Sequence, residues 1–572
     1  MCKTKKILSL FLCLVSFEIS QAQTPNWQWT NSGVTTIANS VEHGYSIAAD
    51  ISGNTYITGV YSTPSITFGA FTLFNTGGVE IFIVKYNNVG SVIWAKSVGG
   101  TQDDFGFGIT TDASGNIYVT GRFDSPLITF GTYSLTGAPT TFFTAKYDSA
   151  GNALWAKKGG GWAYGNSITT DAGGNAYVTG SFLSPTLTFG SYVLTNVNNT
   201  NTTFDIFIVK YDGAGNELWA KSAGGNNSDY GNSITTVVGS NAYVTGYFES
   251  PSIAVGTYTL TNGGFSGSKD TYVVKYDGSG NVLWAKSAGT IWDDWGSSIS
   301  SDASGNIYTT GWFAGASSNL AITFGAYTLT APKYVVDTYI VKYDGFGNVL
   351  WAKSMAIDTL SSVYGKCITV DAAGNAYVIG NFCYGPSITL GTYTLTNTNS
   401  NYSDIFIVKY NSSGNVIWAK SAGGIYNDQG RGIAVNATED IYITGYFSSP
   451  SITFTPYTLT NPDNTGSFDD VFVAKTGTVT SISQYSNLTS QISLYPNPTS
   501  GKFWVSNSSR QITDSDSEIR SIEIYNVTGK KIYQSTPYNN SAIDISIEPI
   551  GIYFVHVKTQ KGIFTKKISI YK

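Results

Sequence analysis

Charge is scarce in this chain of 572 residues, with aspartate, glutamate, lysine and arginine together making up 12% of it. Histidine occurs twice, at His43 and His556, and before residue 500 the only arginines are Arg122 and Arg431. These shortages exclude much chemistry. A Ser-His-Asp triad would have to use His43, which has no nucleophile motif near it, and a zinc site fares no better. Of four cysteines, Cys2 and Cys13 lie in the first 22 residues. That leaves Cys367 and Cys383, which are compatible with a disulfide in an exported protein, although an offset pairing register of their strands would strain it. Beyond the N-terminal segment no apolar run is long enough to span a bilayer. The little charge present divides unevenly. Residues 23–487 hold nineteen Lys/Arg against thirty Asp/Glu, and residues 488–572 hold ten against six. An acidic main body argues against nucleic acid as a partner.

Glycine (63 residues) and aromatic side chains (14%) are abundant, and they fall in a repeating pattern. WAKSAGG or a close variant recurs at Trp94, Trp155, Trp219, Trp284, Trp351 and Trp418, a period of about 65 residues. A second phrase, GNxYxTG with small variations, occurs seven times, with its tyrosine at Tyr56, Tyr118, Tyr177, Tyr243, Tyr308, Tyr377 and Tyr442. The seventh unit stops at Lys475 without a tryptophan segment, while an orphan copy, NWQWTNSG, stands at Asn26 to Gly33. The two ends therefore complete one repeat.

Each unit reads as four strands in two linked hairpins, with turns such as Asp171-Ala172-Gly173-Gly174-Asn175 and Asp212-Gly213-Ala214-Gly215-Asn216 supplying the positive-φ positions that short hairpins need. Between the second and third strands each unit inserts an alternating segment such as TLTFGSYVLTN, which suits a small extra hairpin. Seven four-stranded antiparallel units in tandem predict an all-β, seven-bladed β-propeller, because radial repetition protects strand edges. The N-terminal strand is expected to close the ring. The recurring tryptophan reads as a packing residue between blades, and the lysines of IVKY and WAK as side chains whose stems cover the strand while their ammonium groups stay in water.

The predicted boundaries are 1–22, 23–476, 477–490 and 491–572. The first carries Lys3, Lys5 and Lys6, an apolar run from Ile7 to Phe17 and a small-residue site at Ser20-Gln21-Ala22, the pattern of a cleaved secretory signal. The third is a polar linker. The last alternates at period two in FWVSN, SIEIYNV, YFVHV and KISIY, which predicts a small Ig-like β-sandwich.

DASGNIYVTG at Asp112 to Gly121 and DIFIVKYDGAGNELW at Asp205 to Trp219 resemble the SBBP family of β-propeller repeats, which implies a fold and no activity. The C-terminal segment, with Pro496, Asn497, Pro498 and Gly501, then Gly529, Gly551 and Tyr553, resembles the type A sorting domain of type IX secretion cargo. That resemblance implies recognition by the type IX machinery and a location outside a Gram-negative, Bacteroidota-like cell or on its outer-membrane surface.

The loops that begin each innermost strand are expected to converge on a channel mouth. They place Glu42, Asp104, Asp229, Asp294 and Asp428, together with Phe105, Tyr164, Tyr230, Trp295 and Tyr364, at equivalent positions. Carboxylates so placed would repel one another and would favour a cation such as Ca²⁺; turn capping is the competing role for each. Aromatic rings beside carboxylates suit sugar stacking. The sequence supports a binding or adhesion module for a glycan or a surface protein rather than an enzyme. A glycosidase or lyase using paired carboxylates, with Asp293 as a further candidate, and a structural surface or matrix component are the alternatives.

Overall fold

The computed structural model describes residues 24–35, 41–137, 140–237, 239–265, 267–315, 320–355, 361–477, 492–507, 519–527, 530–536, 541–559 and 562–571. The predicted secretory signal at 1–22, the greater part of the predicted 477–490 linker and Gly529 fall outside the described residues. Two compact units emerge, 1–478 and 479–572.

All regular structure described in the first unit is antiparallel strand: five four-stranded sheets, a nine-stranded sheet in which the second and third four-stranded blades are joined, and small two-stranded hairpins. The first blade runs Glu42–Ala49, Thr55–Tyr61, Glu80–Tyr86, Val92–Val98 in both sequence and space. The fourth blade runs Asp229–Val237, Asn241–Phe248, Asp270–Tyr276, Val282–Ala288. The first strands of successive sheets touch one another in a closed cycle that ends with Asp428–Val435 against Glu42–Ala49. They form the inner wall of a propeller. Every inserted segment forms the small hairpin expected of it, Ser252–Val255 with Tyr258–Thr261 for example. One connection departs from the pattern. Gly165 follows Trp155 by ten residues, against twelve from Trp219 to Gly231, and the shorter path is spanned by one continuous strand, Ala153–Thr170, shared by the second and third blades.

The seven cores lie between neighbouring sheets. Tyr177, Ile208 and Trp219 of the third pack with Ile234, Val244 and Phe248 of the fourth, so no blade buries its apolar face alone. Closure follows the same rule, because Asn26–Ser32 pairs with Asp470–Gly477 as the outer strand of the seventh sheet. Five of the six recurring tryptophans donate the indole N–H to a turn carbonyl of the following blade: Trp94 to Ser149, Trp155 to Gly213, Trp219 to Gly278, Trp284 to Gly345 and Trp351 to Ser412. Trp29 donates to Asn88 in the same way. The glycine of each such turn has positive φ and lies against that indole, as Gly280 does on Trp219 (φ 81°), so the position demands glycine twice over. Of the IVKY-type lysines, Lys85, Lys146, Lys210, Lys342 and Lys475 are buried rather than wet, and Lys275 and Lys409 are partly exposed. Lys146 Nζ donates to Gly213, Lys210 to Gly278 and Lys275 to Gly345, the carbonyls that also accept from tryptophan.

In the second unit, a three-stranded sheet (Ile492–Tyr495, Lys502–Asn507, Ile543–Asp544) and a four-stranded one (Lys531–Ser535, Ser521–Asn526, Gly551–Thr559, Gly562–Ile570) enclose one core that includes Phe503, Ile524, Ile543, Val555 and Ile568. Asn497 sits in an exposed turn with Pro496 and Pro498. Its side chain donates to the Lys567 carbonyl (2.8 Å) and accepts from the Ser569 N–H (3.1 Å), clamping the last strand. Gly501 has φ 113°, and a Cβ there would overlap Ser546. Tyr553 is buried and donates its hydroxyl to Pro549. At Gly551 a Cβ would meet nothing, so packing alone does not require glycine.

Candidate functional site

The inner strands shape the channel through one repeated irregularity. In all seven the register slips by one residue against the second strand, leaving a bulge at Tyr45, Phe107, Asn166, Asn232, Ser297, Lys366 and Arg431. A bulge bends the strand and re-aims its side chains. The glycine opposite is obligatory for the same reason, since a Cβ at Gly59, Gly246 or Gly445 would overlap the carbonyl oxygen of His43, Tyr230 or Gln429.

Along each inner strand burial alternates. Glu42, Asp104, Asp229, Asp294 and Asp428 are fully buried, whereas the next residue, His43, Phe105, Tyr230, Trp295 or Gln429, is partly exposed on the channel side. The five carboxylates therefore turn away from the mouth, into the joints between blades, and this corrects the expectation that they converge on it. Asp104 accepts from the Gly100 N–H and the Ser125 hydroxyl, both at 2.8 Å. Asp229 does so from Gly225 and Ser250, and Asp428 from Gly424 and Ser449. Burial raises Asp104 to about 6, Asp229 to about 7 and Asp428 to about 8, the last two helped by Asp205 and Asp404 of the preceding blade. Asp470 is raised likewise by burial and by Glu42. Among the described residues no group of three or more His, Cys, Asp or Glu side chains converges as a metal site. Of the paired-carboxylate candidates only Asp293 keeps a surface position, bound to Lys269 at 2.9 Å. The thiols of Cys367 and Cys383 are both free; Cys367 pairs in register with Ile379 and Cys383 with Ser362.

The predicted aromatic residues do come together, as members of a longer belt. From Tyr364 it passes to Trp312 (5.7 Å between ring centroids), Trp295 (5.3 Å), Tyr247 (4.0 Å) and Tyr230 (4.8 Å). It continues through Phe204 (5.3 Å) to Tyr164 (5.4 Å). The Arg122 guanidinium bridges Tyr164 to Phe105, 5.3 and 4.3 Å from their rings. Phe107, Tyr45, His43 and Tyr446 follow, and Arg431 lies 5.3 Å from the Tyr446 ring. Trp312, Tyr247 and Tyr446 come from second strands, in register with Trp295, Tyr230 and Gln429. That cross-strand pairing was the missed signal. The Trp295 indole N–H is buried and has no hydrogen-bond partner.

Fold and site define a class: an all-β repeat protein whose blades surround an aromatic channel, carrying a separate C-terminal β-sandwich. Residues 93–125 match the β-propeller repeat (SBBP) family, and residues 493–571 match the secretion system C-terminal sorting domain. The sorting tail marks a secreted or cell-surface protein of Bacteroidota-type bacteria. An uncharacterized WD repeat-containing protein of Acanthamoeba polyphaga mimivirus is 26% identical over 510 residues, covering 72% of this chain. The chain spans 36% of that relative's length. Among solved structures, Sqt1 from Chaetomium thermophilum aligns with TM-score 0.34 and 8% identity, over 75% of this chain and 84% of its own. A calcium-binding protein, regucalcin, from Agrobacterium tumefaciens aligns with TM-score 0.28 and 10% identity, over 65% of this chain and 91% of its own.

Proposed function

We propose that the chain is a surface-exposed or released binding module, exported by the type IX machinery, whose ligand is a glycan held against the aromatic belt. In this reading residues 1–22 are removed as a signal, 23–476 bind and 491–572 direct export. The observation that carries it is the Trp295–Trp312 pair. The two rings stack within 19° of parallel, an aromatic surface on which the apolar face of a sugar ring can lie. Aromatic faces and a few oriented donors are the chemistry of saccharide recognition.

A glycan array with the full chain, run with Ca²⁺ and with chelator, tests the reading. Binding to a defined saccharide class is expected, retained under chelation and reduced roughly tenfold or more by Trp312→Ala. Binding that vanishes on chelation would return the site to a metal, and a blank array would favour a protein ligand or a structural role.

A further inference from the structure

Both arginines that precede residue 500 lie in the wall of this channel, in a body that is otherwise acidic. Most basic side chains along the belt have an acidic partner. Arg122 pairs with Asp124 at 3.1 Å, His43 Nε2 with Asp469 at 2.8 Å, and Lys269 with Asp293 at 2.9 Å and Glu249 at 3.8 Å. Lys366 and Arg431 are different. They occupy the bulge positions of adjacent blades, the sixth and seventh. Among the described residues neither has a carboxylate within ion-pairing distance. Arg431 gives one N–H to the Tyr446 hydroxyl (2.9 Å), but its buried Nε has no partner. The Lys366 ammonium stands 5.3 Å from the Tyr364 ring. Both side chains are only partly exposed, so like charges on these adjacent blades oppose each other, and the unpaired buried Nε loses its solvation. A bound oxyanion relieves both, accepting from the guanidinium and from the ammonium.

We propose that Lys366 and Arg431 form an oxyanion subsite, so that the channel selects acidic saccharides, bearing a carboxylate or a sulfate ester, over neutral ones. This rests on the reading of the channel as a glycan site and adds the ligand's charge. Its sugar ring lies on the Tyr364–Trp312 side of the belt, and its anionic group reaches across to the seventh blade. Burial and the neighbouring Arg431 lower Lys366 to about 8, as befits an ammonium lacking its counter-ion.

The test is calorimetric titration of the full chain with three probes of equal length: a trigalacturonate, a sulfated galactan trisaccharide and a neutral galactan trisaccharide. At least one acidic probe is expected to bind roughly tenfold or more tightly than the neutral one, and Lys366→Gln and Arg431→Gln each to remove most of that margin. The two acidic arms distinguish carboxylate from sulfate. Equal affinity for acidic and neutral probes, or Gln variants that bind the acidic probe like the parent, overturns the subsite and leaves the glycan reading intact. No binding of any probe by the parent overturns both. Should the variants fail to fold, the parent alone decides: affinity for the acidic probe must fall with added NaCl while that for the neutral probe does not, and salt-independent binding of both overturns the subsite.

Discussion

At Asp205, Asp229, Asp404 and Asp428 burial raises the carboxyl to between about 6 and about 8. Each stands with its partner across a blade joint, Asp205 with Asp229 and Asp404 with Asp428, and such pairs hold a proton more tightly folded than unfolded. The stability they contribute is present in full below the unfolded aspartate value and is lost as pH rises through the folded one. The turn aspartates Asp112 and Asp171 are lowered by Asn and backbone donors that outweigh the opposing effect of burial, so their contribution is lost only in stronger acid. Thermal unfolding at about pH 5 is therefore expected several degrees above that at about pH 8. Asp229→Asn combined with Asp428→Asn should flatten the difference. A midpoint that climbs steadily from pH 5 to pH 8 would contradict the assignment.

The element that decides the ring is its longest-range pairing, the strand Asn26–Ser32 against Asp470–Gly477. Its Trp27 packs edge-on to Phe454, its Trp29 reaches Asn88 in the first blade, and Asn31 Nδ2 donates to Gly90. It thus joins the seventh blade to the first as every other outer strand joins its neighbours. Truncating Trp29 to alanine should cost about 3–5 kcal/mol, the range for a large buried aromatic, read as a lower urea midpoint. Removing Asn26–Ser32 exposes the edge of Asp470–Gly477 and should abolish cooperative unfolding of the first unit or leave it prone to associate. A deletion that melts like the parent would mean the ring does not depend on that closure.

Over the whole molecule, two units have separate cores, and the second matches the sorting domain. Deleting residues 493–571, which match the sorting domain, should leave the first unit folded but retain it within the producing cell. The fraction in the medium or at the cell surface measures this, and unchanged export would separate the tail from that role. The repeat period, the Asp-Gly-Asn turns and the orphan tryptophan strand were legible in the sequence because they depend on local backbone preference and on copying. The direction of Asp104 was not legible. Period-two alternation places Asp104 and Phe105 on opposite faces of one strand, yet only the closed ring decides that the ring of Phe105 looks into the channel and the carboxylate into a blade joint. Lys366 and Arg431 were hidden for a related reason. Each sits where a single extra residue breaks the alternation, and an interruption of one residue leaves no periodic trace. The sequence by itself determined what repeats, where each turn falls and how the two ends complete each other, since these are properties of neighbours along the chain. Only the tertiary structure decided which side chains share the channel and which cations lack a counter-ion there, because both depend on residues that circular closure brings together across blades.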